Sequence, residues 1–349
     1  MELRVLGRSG IRVSVYCLGA MMFGKWGNPD HDDCVAMMHK AFDAGINFVD
    51  TADVYSAGES EVIVGKAVKG RRDDVVIATK FMGAMGQDPN QQDGSRRWII
   101  RECENSLRRL DIDYIDLYQM HRPSVIADID ETLGALSDLV HQGKVRSIGH
   151  STFPADHIVE AQWTAEKRGR ERFVSEQPPY SILMRGIERF VLPACERYGI
   201  GVIPWSPLAG GWLGGRYRRG EAAPADSRLG RSFGRQQVGV DDPVNAPRLD
   251  AVEALIPIAE AAGTSLTHLA HAFVLEHPAV TSAIIGPRTH QQLDDALAGA
   301  DVRLDAATLD AIDAVVAPGT DLSAGEPWPP PGLRPENLRR SAPRSFGLR

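Results

Sequence analysis

The sequence predicts an α/β fold, a (β/α)8 TIM barrel, and three observations carry that expectation. Short runs of apolar, β-branched residues alternate eight times with segments whose apolar residues recur at helical spacing. The strand-like runs are apolar throughout, the pattern of a parallel sheet covered by helices. No Gly-x-Gly-x-x-Gly follows the first run, which argues against an open dinucleotide-binding sheet and for closure of eight units.

In order, residues 15–20 read as the first strand and 33–43 as the first helix, with Val35, Met38 and Phe42 on one face. The following pairs are 46–50 with 59–68, 75–80 with 97–110, and 114–121 with 128–141. Next come 145–150 with 154–167, opened by Pro154 as helices often are, and 173–177 with 187–198. The last two are 201–205 with 248–262, and 282–286 with 290–300. Residues 3–14, with Gly7 and Gly10 between apolar runs, read as an N-terminal β-hairpin placed to plug the barrel floor. Two more helical patterns, 266–275 and 306–316, exceed the eightfold count and are expected outside the ring. The barrel domain should therefore span 1–317.

Two segments break the pattern. Residues 214–245 form a long polar stretch with Arg216, Arg218, Arg219, Arg228, Arg231 and Arg235, and so long a loop is usually functional or disordered. Residues 318–349 hold seven of the 22 prolines, so this C-terminal tail is neither helix nor central strand. It is placed to fold across one mouth of the barrel, with Trp328 a candidate cap.

Composition bounds the function. The 349 residues are 43% hydrophobic and 24% charged, enough to bury a full core. A net charge of −7 argues against nucleic acid or an anionic membrane as the main partner. No run approaches the ~20 apolar residues of a membrane span. Met-Glu-Leu-Arg-Val at the start lacks the features of an export signal. The four cysteines, Cys17, Cys34, Cys103 and Cys195, are scattered, which suits reduced thiols in a cytoplasm. His31, His39 and the pair His268/His271 lack an evident third ligand, so no metal is expected. Oligomeric state stays open.

Chemistry in such a barrel sits at the C-terminal ends of the strands. The second strand ends in Asp50, with Tyr55 five residues on; the third ends in Lys80 and the fourth in His121. A phenol of pKa ~10 is a poor acid near neutrality. A neighbouring ammonium favours the phenolate and lowers that pKa. Asp50 would hold the Lys80 ammonium in place, and the His121 imidazole can orient a carbonyl oxygen or relay its proton. The four together make a general acid for a developing alkoxide. Trp26, Phe81, Met82 and Trp98 are candidates to line an apolar substrate pocket beside Tyr55 and His121.

This constellation resembles the aldo-keto reductase superfamily. The resemblance begins at Gly45-Ile-Asn-Phe-Val-Asp50-Thr-Ala-Asp-Val-Tyr55 and runs through Asp116-Leu-Tyr-Gln-Met-His121 and Gly143-Lys-Val-Arg-Ser-Ile-Gly149. It continues in Gln177-Pro-Pro-Tyr-Ser181, Pro204-Trp-Ser-Pro-Leu-Ala209 and Ile285-Gly-Pro-Arg-Thr-His-Gln-Gln292, covering about residues 1–316. The long Pro-Trp-Ser-Pro-Leu-Ala-Gly-Gly form with Arg216 looks most like the bacterial and potassium-channel-β-subunit branch.

The resemblance implies an enzyme that reduces an aldehyde or ketone with NADPH. Tyr55 is then the acid, Lys80 lowers its pKa, Asp50 fixes Lys80 and His121 orients the substrate. Ser151 and Gln177 would hold the nicotinamide amide, and Trp205 would stack on the ring. Ser206, Leu208 and Gly210, with Arg216 and Arg228, would meet the pyrophosphate. Gly286, Arg288, Gln292 and Asp295 would hold the adenosine end, with Arg288 on the 2′-phosphate. Ala20 and Met21 are carried over at the cofactor site. Two positions depart from the family: Thr152 replaces the usual Asn or Arg, and Ala296 an adenine-binding Asn. Rival readings are a keto- or enoyl-reductase of nucleotide-linked deoxysugars, a slow cofactor-sensing subunit like the channel β-subunits, and a barrel without redox activity.

Overall fold

The computed structural model describes residues 1–225, 227, 229–230 and 239–322. The chain opens with an antiparallel hairpin, β1 (Leu3–Val5) and β2 (Arg12–Ser14). Gly7 turns within it at a φ of 53°, where a Cβ would come within 2.2 Å of the Val174 carbonyl oxygen. Only glycine allows the hairpin to approach the barrel backbone so closely.

Eight parallel strands follow. They are β3 (Tyr16–Gly19), β4 (Phe48–Asp50), β5 (Val76–Phe81) and β6 (Ile115–Met120), then β7 (Val145–His150), β8 (Ser175–Glu176), β9 (Gly201–Val202) and β10 (Ala283–Ile285). They hydrogen-bond in the order β10-β3-β4-β5-β6-β7-β8-β9. The two edges then meet: Val202 N donates to Ala279 O at 3.1 Å, Thr281 N to Val202 O at 2.7 Å, and Ile284 N to Pro204 O at 2.9 Å. These bonds close the sheet into the expected barrel. The strands expected at 173–177 and 201–205 shrink to two residues each; Pro178, Pro179 and Pro204 have no N–H to give a ladder.

Leu6 and Val13 of the hairpin fill the barrel floor with Cys17, Phe48, Ala78 and Leu117. One residue along each strand, Leu18, Val49, Ile77 and Tyr118 face the helices instead. This alternation points Asp50, Lys80 and Gln119 into the barrel, each two residues beyond an inward apolar residue.

The ring begins with α1 (His31–Asp43), α2 (Glu59–Val68), α3 (Arg96–Leu110), α4 (Ile129–His141), α5 (Ala155–Arg168) and α6 (Val191–Tyr198). Side chains of Asp30, Ser95 and Asp128 accept backbone N–H groups at the starts of α1, α3 and α4. The helix expected from residue 187 begins only at Val191, because Gly186–Arg189 is a separate 3-10 turn. Between β9 and β10 lie two helices, α7 (Ala246–Ala261) and α8 (Leu266–Glu276), and the expectation for them is corrected. The 266–275 segment is not outside the ring: α8 packs on β10, and His271 meets Tyr16 of β3 edge-on with ring centroids 5.5 Å apart. A helix apolar on nearly all sides belongs in such a buried position. It is α7 that packs outside, against α10 (Ala306–Val315), while α9 (His290–Ala298) follows β10.

Placing His271 in the ring has a measurable effect. Burial, helped by the neighbouring His268, lowers its pKa from 6.5 to about 4. The unfolded chain therefore binds a proton that the folded one refuses, and stability falls as pH drops from 6.5 towards 4. Over that window the wild type should lose about 3 kcal/mol more than His271→Leu, read from denaturant melts at each pH. Parallel curves for the two proteins would contradict this account.

Past α10 the chain returns to the loop after β8. Arg185 N donates to Thr320 O at 3.0 Å, and Leu322 N to Leu183 O at 2.9 Å. The buried Arg185 side chain bonds Asp313 at 2.7 Å and Val316 O at 2.6 Å. The start of the tail is thereby tied to the C-terminal side of the barrel. The remainder, including Trp328, lies outside the described residues, as do Arg228, Arg231 and Arg235.

Candidate active site

The sheet's hydrogen-bond ladder continues past the strand ends and fixes the residues there. His121 N donates to Phe81 O at 3.0 Å, Ser151 N to Met120 O at 2.9 Å, and Gln177 N to His150 O at 2.9 Å. Asp50, Lys80, His121, Ser151 and Gln177 thus share one rim. At its centre the buried Lys80 ammonium donates to Asp50 Oδ1 at 2.5 Å, to Thr51 O at 2.8 Å and to the Tyr55 hydroxyl at 3.3 Å. His121 stands edge-on to Tyr55 with ring centroids 5.7 Å apart, and Trp26 lies tilted to it at 6.1 Å. The four residues expected to act together are brought together.

Burial acts to lower the Lys80 pKa, but the Asp50 carboxylate and Tyr55 outweigh it and hold the ammonium above its ordinary value. Tyr55 departs from expectation. Burial pushes its phenol up, and Lys80, though it pulls the other way, does not reverse the shift. Tyr55 is therefore a phenol that keeps its proton. Burial, together with the charges of Lys80 and Arg122, holds His121 well below the ordinary histidine value, so its imidazole is neutral at physiological pH.

Behind the Tyr55 loop is a buried polar network. Glu61 accepts from Thr79 Oγ1 and from Arg109 Nε, each at 2.5 Å, and Glu102 accepts from Arg109 Nη2 at 2.6 Å. Gly58 has a φ of 92°, and a Cβ there would come within 2.6 Å of Arg109 Cδ. The glycine lets α2 begin directly on the arginine that joins the two glutamates. Burial, and then Glu61 and Glu102, raise the Asp53 carboxyl well above the ordinary carboxylate range. This network packs behind the 51–58 segment.

The other expected positions extend from the rim. Ala20 is buried with its N–H on Asp50 O at 2.8 Å, and Met21 is half-buried beside it. Ser151 Oγ donates to Gln177 O at 2.8 Å, and Thr152 follows at a φ of 58°. Trp205 is half-buried beyond β9, its N–H on Pro178 O at 3.0 Å. Ser206 Oγ accepts from Gly210 N at 3.1 Å, which shapes the turn that carries half-buried Leu208. Arg216 and Gly286 are exposed, Arg288 is half-buried, and Gln292 Oε1 accepts from Arg288 N at 2.8 Å. The exposed Asp295 carboxylate meets His268 at 3.2 Å, and Ala296 is buried. At Gly214, Gly215 and Gly286 a Cβ would meet nothing within 4 Å. An indole, open glycine backbone and arginines are residue types that suit an extended dinucleotide carrying phosphates.

Two pocket candidates are corrected. Phe81 is fully buried and packs on Tyr118 at 4.9 Å in the helix-facing layer, because it follows the inward Lys80. Trp98, on α3, is 2% exposed and does not line the open mouth. Met82 is half-buried at a φ of 124°, and Trp26 is exposed. Two residues without an expected role join the site. Arg122 Nη1 donates to His121 O at 2.6 Å and to Ser151 Oγ at 3.3 Å. Gln119 Nε2 donates to Asp50 Oδ2 at 3.0 Å. Its signal in the sequence is its spacing, two residues before His121 on the inward face of β6.

A closed parallel barrel with this tyrosine–lysine–aspartate–histidine cluster at its strand ends defines the class of protein. A model of the Aldo/keto reductase family matches residues 16–317, and the chain belongs to that family. It is 38% identical to the uncharacterized oxidoreductase YrpG of Bacillus subtilis (strain 168), over 94% of this chain and 100% of that one. It is 37% identical to a probable voltage-gated potassium channel subunit beta of Oryza sativa subsp. japonica, over 90% and 97%. Aldo-keto reductase YhdN of Bacillus subtilis (strain 168) is 34% identical over 84% and 87%. The family and its oxidoreductase members support carbonyl reduction with a nicotinamide cofactor and a small-molecule substrate. No helix among the described residues is long and apolar enough to cross a membrane.

Proposed function

We propose that this protein is an NADPH-dependent carbonyl reductase, converting an aldehyde or ketone to an alcohol with Tyr55 as the general acid. The observation that carries the reading is the Lys80 ammonium bonded at once to Asp50, the Thr51 carbonyl and the Tyr55 hydroxyl. NADPH would supply the hydride. The Tyr55 hydroxyl gives its proton to the carbonyl oxygen as negative charge builds there. The fixed Lys80 ammonium offsets the charge left on the Tyr55 oxygen, with no reorganisation at that moment. Neutral His121 orients the carbonyl by hydrogen bonding.

Ser151 and Gln177 hold the nicotinamide carboxamide, and Trp205 covers the ring. Ser206, Leu208, Gly210 and Arg216 meet the pyrophosphate. Gly286, Arg288, Gln292 and Asp295 meet the adenosine end, with the Arg288 guanidinium on the 2′-phosphate. The four cysteines are free and buried, which suits the reducing cytoplasm proposed as its compartment.

A fluorescence titration of the protein with NADPH and, separately, NADH tests this directly. NADPH should bind more tightly and quench tryptophan emission; binding of neither would overturn the enzyme reading. Arg288→Ala should weaken NADPH by about 10- to 100-fold and NADH far less, because a charged hydrogen bond to the 2′-phosphate is lost. Equal losses would place the 2′-phosphate elsewhere. The rice relative is named as a probable potassium channel subunit, and a second reading of this chain is a cofactor-binding subunit of slow turnover. A kcat far below the rate of NADP release would select it.

A further inference from the structure

We propose that Gln119 is a positioning residue for the catalytic group, fixing Asp50 on one side and the amide of Gln177 on the other. The inference rests on the reductase reading of the site. Asp50 Oδ1 takes the Lys80 ammonium. Asp50 Oδ2 accepts from two amides, Gln119 Nε2 at 3.0 Å and Gln177 Nε2 at 2.7 Å. Gln177 Nε2 also lies 3.4 Å from Gln119 Oε1. Asp50, Gln119 and Gln177 are all buried.

The chemistry fixes the orientation of both amides. An ionised carboxylate only accepts, so each glutamine must turn its nitrogen towards Asp50. The Gln119 oxygen is then the second acceptor for the Gln177 nitrogen. With both its N–H groups engaged, Gln177 has its oxygen left to accept, as from the amino group of a nicotinamide carboxamide. Gln119 thereby links the proton-donating pair to the cofactor contact.

The fold makes room for this. Gln119 lies opposite Lys80 in the register of β5 with β6, and opposite Gly149 in that of β6 with β7. A Cβ at position 149 would sit 3.3 Å from Gln119 Cγ and 2.1 Å from Ser175 Oγ. The glycine leaves room beside the Gln119 side chain on the β7 side, while its amide reaches Asp50 across β5.

Gln119→Glu provides the sharpest test. It keeps the shape but places a second carboxyl against Asp50, and two such groups in contact cannot both ionise. While protonated, Glu donates to Asp50 as Gln119 does. The shared proton raises the folded-state pKa above the unfolded one, so the stability it brings is present at acid pH and lost as pH rises. The melting gap between the free variant and wild type should therefore widen with pH, and its kcat should fall over the same range. Gln119→Leu, which has no such titration, should lower kcat by about 10- to 100-fold at every pH. Its KM for the carbonyl should change little.

A gap for Gln119→Glu that does not change with pH would overturn the proposal, as would wild-type kcat in Gln119→Leu. If Gln119→Glu does not fold, the Gln119→Leu kcat decides. Melting needs neither cofactor nor substrate. A widening gap in a protein that binds no nicotinamide would leave the Asp50 contact standing and sink the reductase reading alone.

Discussion

Tyr55→Phe is expected to bind NADPH as the wild type does and to lose about 10²- to 10⁴-fold in kcat, the contribution of a positioned general acid. The substitution removes one oxygen and keeps the ring. The ring's own contacts survive: His121 edge-on at 5.7 Å, Trp26 at 6.1 Å, and the Lys80 ammonium 4.9 Å from its centroid. Lys80 loses its 3.3 Å bond to the phenol but keeps Asp50 and Thr51 O. The fold and the proposed dinucleotide contacts are therefore untouched, and the missing group is the proton itself. His121 cannot replace it, because burial and the charges of Lys80 and Arg122 hold its imidazole neutral. Steady-state rates with an aldehyde, beside a fluorescence titration with NADPH, separate the two effects. A variant that retained wild-type kcat would move the acid elsewhere; one that lost NADPH affinity as steeply as kcat would make Tyr55 a binding residue.

The site was legible in the sequence to the extent that it depends on strand ends. Asp50, Lys80 and His121 each close an apolar run, and a closed parallel sheet carries such residues to one rim whatever the loops do. What depended on side-chain direction or long-range packing was harder to read. Phe81 reads in the sequence as a pocket candidate, yet alternation along β5 turns it and Lys80 to opposite faces. Gln119 carries no legible role in the sequence, since its partners Asp50 and Gln177 come from the ends of other strands. The eightfold count alone puts 266–275 outside the ring, because two helices lie between β9 and β10 and order alone does not say which touches the sheet. The apolar residues all around α8 held that answer. The direction of the Tyr55 shift was beyond a list of neighbours: a lysine alone favours the phenolate, and burial, a property of the assembled barrel, prevails.

Lys80→Met should show what the buried ammonium does for both folding and chemistry. Its partner Asp50 is 3% exposed, and Lys80 itself is fully buried. Methionine keeps most of the chain's length but leaves Asp50 with two neutral amides and no cation. Breaking a buried pair in this way costs about 3–5 kcal/mol of stability near neutral pH. The wild-type pair shows no such loss there, because the Lys80 pKa is raised above its ordinary 10.5 and its contribution disappears only as pH rises beyond that range. In the variant the uncompensated Asp50 favours its protonated form, so the stability gap to wild type should narrow as pH falls. Asp50→Asn combined with Lys80→Met removes the stranded charge and should recover much of the loss. Activity should not return with it. On the proposed mechanism, without Lys80 nothing offsets the charge that proton transfer leaves on the Tyr55 oxygen. A double variant as stable as wild type and still about 10²- to 10⁴-fold slower would separate the catalytic role of the ammonium from its structural one. If rate recovered with stability, Lys80 would serve only to hold Asp50 in the core, and the proton-transfer role assigned to the lysine would fall.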